Sequence, residues 1–161
     1  DPKAHGTSSA APMRPLRWGV NWDTANSLCC FSREGTEMFG YWLESLAALE
    51  TDVADSRGDP AVPFHMKGKI TFYDSVTGKA LFVAPRGRSF ADFVEESTLA
   101  GRLTFRDQEV VVQNVRVLLN SEVVSVDGTH LGQNQPDYQG NRYCINIVSV
   151  AGVPATLNGA D

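Results

Sequence analysis

Short apolar runs separated by turn residues dominate the chain from about residue 64 onward. Alternation at 69–74 and short strand-forming runs bounded by turn residues elsewhere predict strands at 69–74, 80–84, 109–113, 115–119, 123–126 and 143–150. The predicted turns fall at 78, 120–121, 127–128 and 140–141. Turn signals at this density are typical of an antiparallel core. The pattern therefore predicts an all-β fold.

Helical spacing predicts one or two short helices beside the strands. Ser89 is a candidate N-cap for a helix over 90–99, in which apolar residues recur three and four positions apart. Thr36 is a candidate N-cap for a second helix, whose apolar positions run to Leu49 and which Gly40 weakens. Residues 51–60 are polar and end in turn-forming residues, so we predict a linker there.

Changes in composition and hydrophobic pattern along the chain predict four segments. Residues 1–15 are rich in Ala, Ser and Pro and are expected to form a flexible tail. Residues 16–60 carry all three tryptophans, which would pack this N-terminal extension against the core. Residues 61–153 form the predicted β domain, and residues 154–161 form a C-terminal tail.

Composition narrows the class of protein. The chain has 161 residues and a net charge of −5, so it can bury one core and lacks the basic surface of a general nucleic-acid binder. No apolar run approaches the length of a membrane-spanning helix, and no signal peptide is evident. We expect a soluble, monomeric, intracellular protein of the cytoplasm or an organelle, without nucleic-acid or membrane partners.

Cysteine and histidine placement bears on metals and disulfides. Three cysteines, two of them adjacent at Cys29 and Cys30, do not form a disulfide framework, and no Cys-x-x-Cys pair exists. The three histidines lie at His5, His65 and His130, far apart in sequence. We therefore expect no metal site.

The chemistry-bearing residues lie in two motifs near the C-terminus. Residues 128–133 read GTHLGQ and residues 142–146 read RYCIN. Cys144 sits in a predicted strand, His130 lies fourteen residues upstream, and Asn146 follows two residues later on the same predicted face. A thiol beside an imidazole and an amide is suited to thiolate chemistry, because the thiolate is the nucleophile.

Residues from about 70 to 151 resemble the methionine-R-sulfoxide reductase family. That family carries HLGH followed by RYCIN; this chain has HLGQ and an intact RYCIN. YDSVTGKALF at 73–82 and GRLTF at 101–105 match two weaker family segments. The resemblance implies a pair of twisted antiparallel sheets and leaves residues 1–65 without a counterpart.

The resemblance also implies a reaction. Cys144 would attack the sulfur of methionine-R-sulfoxide, while His130 and Asn146 would contribute proton transfer and polarisation. The cysteine would become a sulfenic acid, which a second thiol or an external dithiol such as thioredoxin restores. No organic cofactor is implied. The predicted substrate contacts are Gln133, Arg142 and Phe105.

Several positions depart from the family pattern. Gln133 replaces the second histidine, and an amide cannot donate a proton as an imidazolium does. Arg102 stands where the family has a pocket-lining tryptophan, and Ala100 stands where many members have a recycling cysteine. Cys29 and Cys30 are candidate replacements for that thiol, or an inert buried pair. Two functions therefore stay open: a sulfoxide reductase, or a family member that lost catalysis and serves as a binding module.

Overall fold

The protein contains two antiparallel sheets in a computed structural model that describes residues 10–31 and 35–155. The smaller sheet pairs β1 (Ile70–Tyr73) with β2 (Ala80–Ala84). The larger sheet has the order β3-β7-β6-β5-β4. Its strands are β3 (Leu103–Phe105), β4 (Val115–Val117), β5 (Glu122–Ser125), β6 (His130–Asn134) and β7 (Tyr143–Ile145). The predicted antiparallel architecture is confirmed.

Within residues 10–31 and 35–155, three α-helices accompany the sheets, so the all-β prediction is too narrow. They are α1 (Trp22–Cys30), α2 (Leu46–Gly58) and α3 (Phe90–Ala100). The prediction for α3 is confirmed: the Ser89 hydroxyl accepts from the Asp92 amide at 3.0 Å, and Gly101 ends the helix at φ +79°. Within the described ranges, no helix combines the length and the apolar character that a membrane crossing requires.

Aromatic side chains join the two sheets. Phe105 of β3 stacks on Phe82 of β2, with ring centroids 4.2 Å apart, and Phe72 of β1 meets the Phe105 ring edge-on at 5.1 Å. Phe93 of α3 closes the cluster 5.5 Å from Phe105. The prediction that Phe105 contacts substrate is therefore wrong: its side chain is fully buried between the sheets, where it packs the core.

The N-terminal extension docks on this core through its tryptophans. The Trp18 ring lies 5.4 Å from Phe72, and its indole N–H donates to Asp52 of α2 at 2.7 Å. Trp42 is fully buried and donates to the Ser97 carbonyl of α3. The described part of the predicted tail is also held, since the Met13 amide donates to the Ser75 carbonyl. Residues 1–9 and 156–161, predicted as tails, lie outside the described residues.

Two predictions for the extension were wrong. The helix predicted from Thr36 starts later, as a 3₁₀ turn at Tyr41–Ser45, because Gly40 takes a left-handed conformation in a turn that the Tyr41 amide closes on the Met38 carbonyl. The predicted linker at 51–60 is helical as far as Gly58. Burial of Leu49 and Val53 holds that helix in place, although its polar sequence shows little helical periodicity.

The strand predicted over 109–113 is absent, and the one predicted over 143–150 is much shorter than expected. Residues 109–113 form parts of two 3₁₀ turns, Asp107–Glu109 and Val112–Asn114, because the Glu109 carboxylate is turned inward to accept several hydrogen bonds. The strand predicted over 143–150 ends at Ile145, and a 3₁₀ turn follows at Ile147–Ser149.

We predict that Gly132→Ala destabilises the protein. A Cβ at Gly132 would lie 2.0 Å from the Cys144 carbonyl oxygen and 3.0 Å from the Ile145 Cα, and backbone atoms cannot move aside as a flexible side chain can. The free energy of unfolding should fall by about 1–3 kcal/mol in urea denaturation. Gly58→Ala is the matched control, because nothing lies within 4 Å of its Cβ position. Equal stabilities of the two variants would contradict this account of the β6–β7 contact.

Candidate functional site

A bulge in β6 brings the HLGQ motif onto one face of the larger sheet. Val123 pairs with Gly132 and Val124 pairs with His130, so Leu131 is an extra residue in β6. In a regular strand, residues three apart point to opposite faces. The extra residue puts His130 on the same face as Gln133.

The same face carries Cys144. Gln133 of β6 and Thr104 of β3 both pair directly with Cys144, which occupies the strand between them. Directly paired residues project to one face, so a hydroxyl and an amide flank the thiol on its two neighbouring strands. The structure thus brings together the HLGQ and RYCIN motifs, and adds Thr104, which sequence reasoning did not select.

The Cys144 thiol is covered by Gln135. Its Sγ lies 3.6 Å from the Gln135 Oε1, and only 4% of the residue surface is exposed. Arg142 holds this cover in place: its Nε donates to the Gln135 carbonyl at 2.9 Å and its Nη2 lies 3.5 Å from the same Oε1. Arg142, predicted as a substrate contact, therefore acts on Gln135 in this structure.

Burial raises the pKa of the Cys144 thiol. The positive charges of Arg142 and Arg102 and a hydrogen bond from Thr104 oppose this effect, while Glu96 adds to it. The effect of burial is the largest, so the pKa is raised overall and the neutral thiol is favoured. The arrangement holds Cys144 as a protected thiol with cations nearby, rather than as a preformed thiolate.

His130 lies in a fully buried pair with Glu122. The imidazole Nδ1 is 2.8 Å from the Glu122 carboxylate, and Nε2 donates to the Gly35 carbonyl at 3.1 Å. Glu122 pairs with Gln133 across β5 and β6, which places it on the Cys144 face. His130 is therefore oriented by a carboxylate on one side and by the N-terminal extension on the other.

Residues 35–40, which we call the crossing segment, run over the ends of β6, β7 and β3. The Gly35 carbonyl meets His130, the Glu37 amide donates to the Asn146 Oδ1 at 2.9 Å, and Arg102 Nη2 lies 3.4 Å from the Glu37 carbonyl. The Gly40 amide donates to the Gly101 carbonyl at 2.9 Å. Both His130 and Asn146, two of the three predicted catalytic residues, thus contact this segment.

The Glu37 side chain anchors the crossing segment. Only 3% of the residue is exposed, and its Oε1 accepts from the Val148 amide at 3.3 Å. Burial raises the pKa of the Glu37 carboxyl to about 7, against hydrogen bonds from the Ile147 and Val148 amides and the charge of Arg102. Near neutral pH this carboxyl therefore exchanges its proton.

Three buried polar atoms around the segment have no hydrogen-bond partner within the described residues: Glu37 Oε2, Asn146 Nδ2 and Arg102 Nε. Buried polar groups are normally paired, because an unpaired one loses its hydration without compensation. Two of the three are donors. The site therefore offers more hydrogen-bonding capacity than the crossing segment uses.

A polar groove of about 780 Å³ lies beside the site and is lined by residues of α3, the loop before it and the β6–β7 loop. Glu96 of α3 lines this groove, and its negative charge raises the pKa of the Cys144 thiol. Its carboxylate forms ion pairs with Arg88, at 2.7 Å, and with Arg106. Fully buried Glu109 accepts from Arg88, and Asp137 accepts from Arg106. Arg88 and Arg106 are thus both paired with carboxylates.

The vicinal thiols are buried in α1. Cys29 Sγ lies 3.6 Å from the Ser149 hydroxyl, and burial raises the pKa of the Cys29 thiol. Cys30 Sγ lies 3.8 Å from the Ala10 carbonyl. Recycling of Cys144 by either thiol would require α1 to separate from β6 and from the 3₁₀ turn at Ile147–Ser149, against which it packs.

Among the described residues, no group of three or more His, Cys, Asp or Glu side chains is arranged to hold a metal ion. The polar groups that sequence reasoning missed are Thr104, Glu122, Gln135 and Glu37. Strand register would have identified Thr104 and Glu122. Nothing in the sequence distinguishes Glu37 from the other acidic residues of the extension.

We predict that Cys144 alkylates slowly at pH 7, at least about tenfold more slowly than a free cysteine, because its raised pKa and its cover limit the exposed thiolate. Gln135→Ala should increase the rate by removing the cover. Gln139→Ala, in the exposed part of the same loop, is the control. Site-resolved mass spectrometry separates Cys144 from Cys29 and Cys30. A parent rate above that of free cysteine would contradict the predicted protection.

Glu37 should make stability depend on pH. Because its folded-state pKa of about 7 exceeds its usual value of 4.5, its favourable contribution is complete at low pH and is lost as pH rises. Between about pH 4.5 and pH 7 the parent should lose roughly 3 kcal/mol relative to Glu37→Gln, which cannot ionise. Urea unfolding measures the difference, with exposed Glu50→Gln as control. Parallel pH profiles for parent and Glu37→Gln would contradict it.

Comparison with known proteins gave no match: no family model, no curated protein and no solved structure was found to be significantly similar to this chain. The functional interpretation consequently depends on the motifs and the geometry described above.

Proposed function

We propose that the chain is a divergent member of the methionine-R-sulfoxide reductase family and that it reduces methionine-R-sulfoxide, free or in peptides, with Cys144 as the nucleophile. One observation carries the proposal. HLGQ and RYCIN lie on neighbouring strands in a register that sets Gln133 opposite Cys144, and the β6 bulge turns His130 onto the same face. The two motifs pair with each other residue by residue in the β6–β7 ladder, and this register supports a shared site.

The reaction has two stages. The Cys144 sulfur attacks the sulfoxide sulfur, the S–O bond breaks, and the oxygen ends on Cys144 as a sulfenic acid, with protons supplied by the thiol and the surrounding donors. The sulfoxide is reduced by two electrons and Cys144 is oxidised by two. An external dithiol of the thioredoxin class then reduces the sulfenic acid, releasing water and leaving a disulfide on the donor.

Each neighbouring group has a role in this scheme. The Gln133 amide donates a hydrogen bond to the sulfoxide oxygen. Arg102 and Arg142 favour the thiolate of Cys144 against the cost of burial. The Glu122 carboxylate orients His130. No organic cofactor or metal enters the scheme, and the protein acts as a monomer.

A second function is favoured by a specific observation. The thiol is covered and its pKa is raised, and His130 and Asn146 both contact the crossing segment. This state suits a family member that retains the fold as a binding module. The two functions share a site and differ in whether Cys144 is oxidised and reduced in a catalytic cycle.

We expect the parent to reduce a peptide containing methionine-R-sulfoxide with excess dithiothreitol, and Cys144→Ser to abolish turnover. Gln133→His should raise the rate about tenfold or more, because an imidazolium supplies the general acid that an amide lacks. Chromatographic separation of the sulfoxide and thioether peptides measures the rate.

Gln139→His is the matched control, since it places the same side chain in the exposed β6–β7 loop. Turnover that survives Cys144→Ser would rule out the proposed nucleophile. A complete lack of turnover in the parent and in Gln133→His would favour the binding module.

A further inference from the structure

The crossing segment is bound through its backbone. His130 donates to the Gly35 carbonyl, Asn146 accepts from the Glu37 amide, and Arg102 donates to the Glu37 carbonyl. Backbone atoms are common to every peptide. The three side chains therefore form a seat that recognises an extended peptide irrespective of most of its side chains.

The seat lies directly beside the thiol. Arg102 and Asn146 lie one position beyond the Leu103–Ile145 pair, at the end of the β3–β7 ladder. They are therefore two positions along their strands from Thr104 and Cys144, which directs them to the same face. Residues two apart on one strand face are separated by about 6.6 Å. A peptide in the seat thus runs next to Cys144, within reach of a methionine-length side chain.

The unpartnered atoms indicate what the seat lacks. Arg102 Nε and Asn146 Nδ2 are buried donors without an acceptor within the described residues. A sulfoxide oxygen is a strong acceptor that can take two hydrogen bonds. The crossing segment satisfies the backbone contacts of the seat and leaves these two donors unused.

We propose that residues 35–37 occupy, within the same molecule, the place of a substrate peptide, so that an extended peptide carrying methionine sulfoxide binds by displacing them. This inference rests on the proposed function for the identity of the peptide. The Glu37 carboxylate on the Val148 amide is the anchor that holds the segment down, and Gly40 is the turn at which the segment leaves the sheet.

The first test is peptide affinity in a Cys144→Ser background, which prevents reaction. The probe is a blocked pentapeptide with methionine-R-sulfoxide at its centre, and binding is measured by calorimetry. Glu37→Ala should tighten binding about tenfold, because less of the protein is held in the occupied state. Exposed Glu44→Ala, which removes the same charge, is the control and should leave affinity unchanged.

Gly40→Ala provides a second variant that touches no group of the seat. Gly40 has φ +82°, which strains any other residue, so this change weakens the end of the segment and should also tighten peptide binding. The proposal would be overturned if Glu37→Ala and Gly40→Ala both bound the peptide with the same affinity as the Glu44→Ala control.

Hydrogen exchange reports displacement directly. The Glu37 amide, bonded to Asn146, should exchange faster as peptide is added, whereas the Val111 amide, bonded to the Leu81 carbonyl, should not change. Peptide binding that leaves the Glu37 amide protected would overturn the proposal. If peptide displaces the segment but the parent shows no turnover, the reductase function is rejected and the seat is retained. If the parent turns over while the exchange rate of the Glu37 amide is unchanged, the seat is rejected and the reductase function is retained.

Discussion

Close contact between β6 and β7 at Gly132 is the constraint on which the candidate site depends. The two strands approach so closely that a Cβ on Gly132 would overlap the Cys144 carbonyl oxygen. Directly beside this contact, the extra residue in β6 reverses which face the preceding side chain occupies. The glycine permits the close pairing that sets Gln133 beside Cys144, and the bulge adds the imidazole of His130 to the same face. The HLG sequence therefore shapes the sheet locally as well as contributing His130 to the candidate site.

Much of the sheet could be predicted from sequence, since alternation and turn residues locate most strands within a few positions. The helix beginning after Ser89 was equally evident, because a cap and helical spacing coincide. The part of helix α2 beyond residue 50 was missed, because its stability comes from Val53 and the bond between Trp18 and Asp52 rather than from periodicity. Local sequence does not encode such long-range contacts.

The candidate site was predictable in part. Cys144, His130 and Gln133 could be grouped from their motifs, whereas Phe105 was misplaced because its strand register decides which face it occupies. Asn146 was expected beside Cys144 on a continuous strand, but it follows the strand and binds the Glu37 amide. That contact joins residues more than a hundred positions apart, so only the folded structure reveals it.

The tethering of the crossing segment has a quantitative consequence for any molecule that competes with it. The segment connects α1, packed against β6, to the 3₁₀ turn that leads into α2, so both of its ends are fixed to the core. Short tethers of this kind hold a segment at an effective concentration in the millimolar range. A peptide present at micromolar concentration must then bind the seat about a thousandfold more tightly than residues 35–37 do to occupy half of the molecules. Selectivity for an oxidised peptide over an unmodified one would follow from this competition, because only the ligand that uses the spare donors gains enough affinity to win.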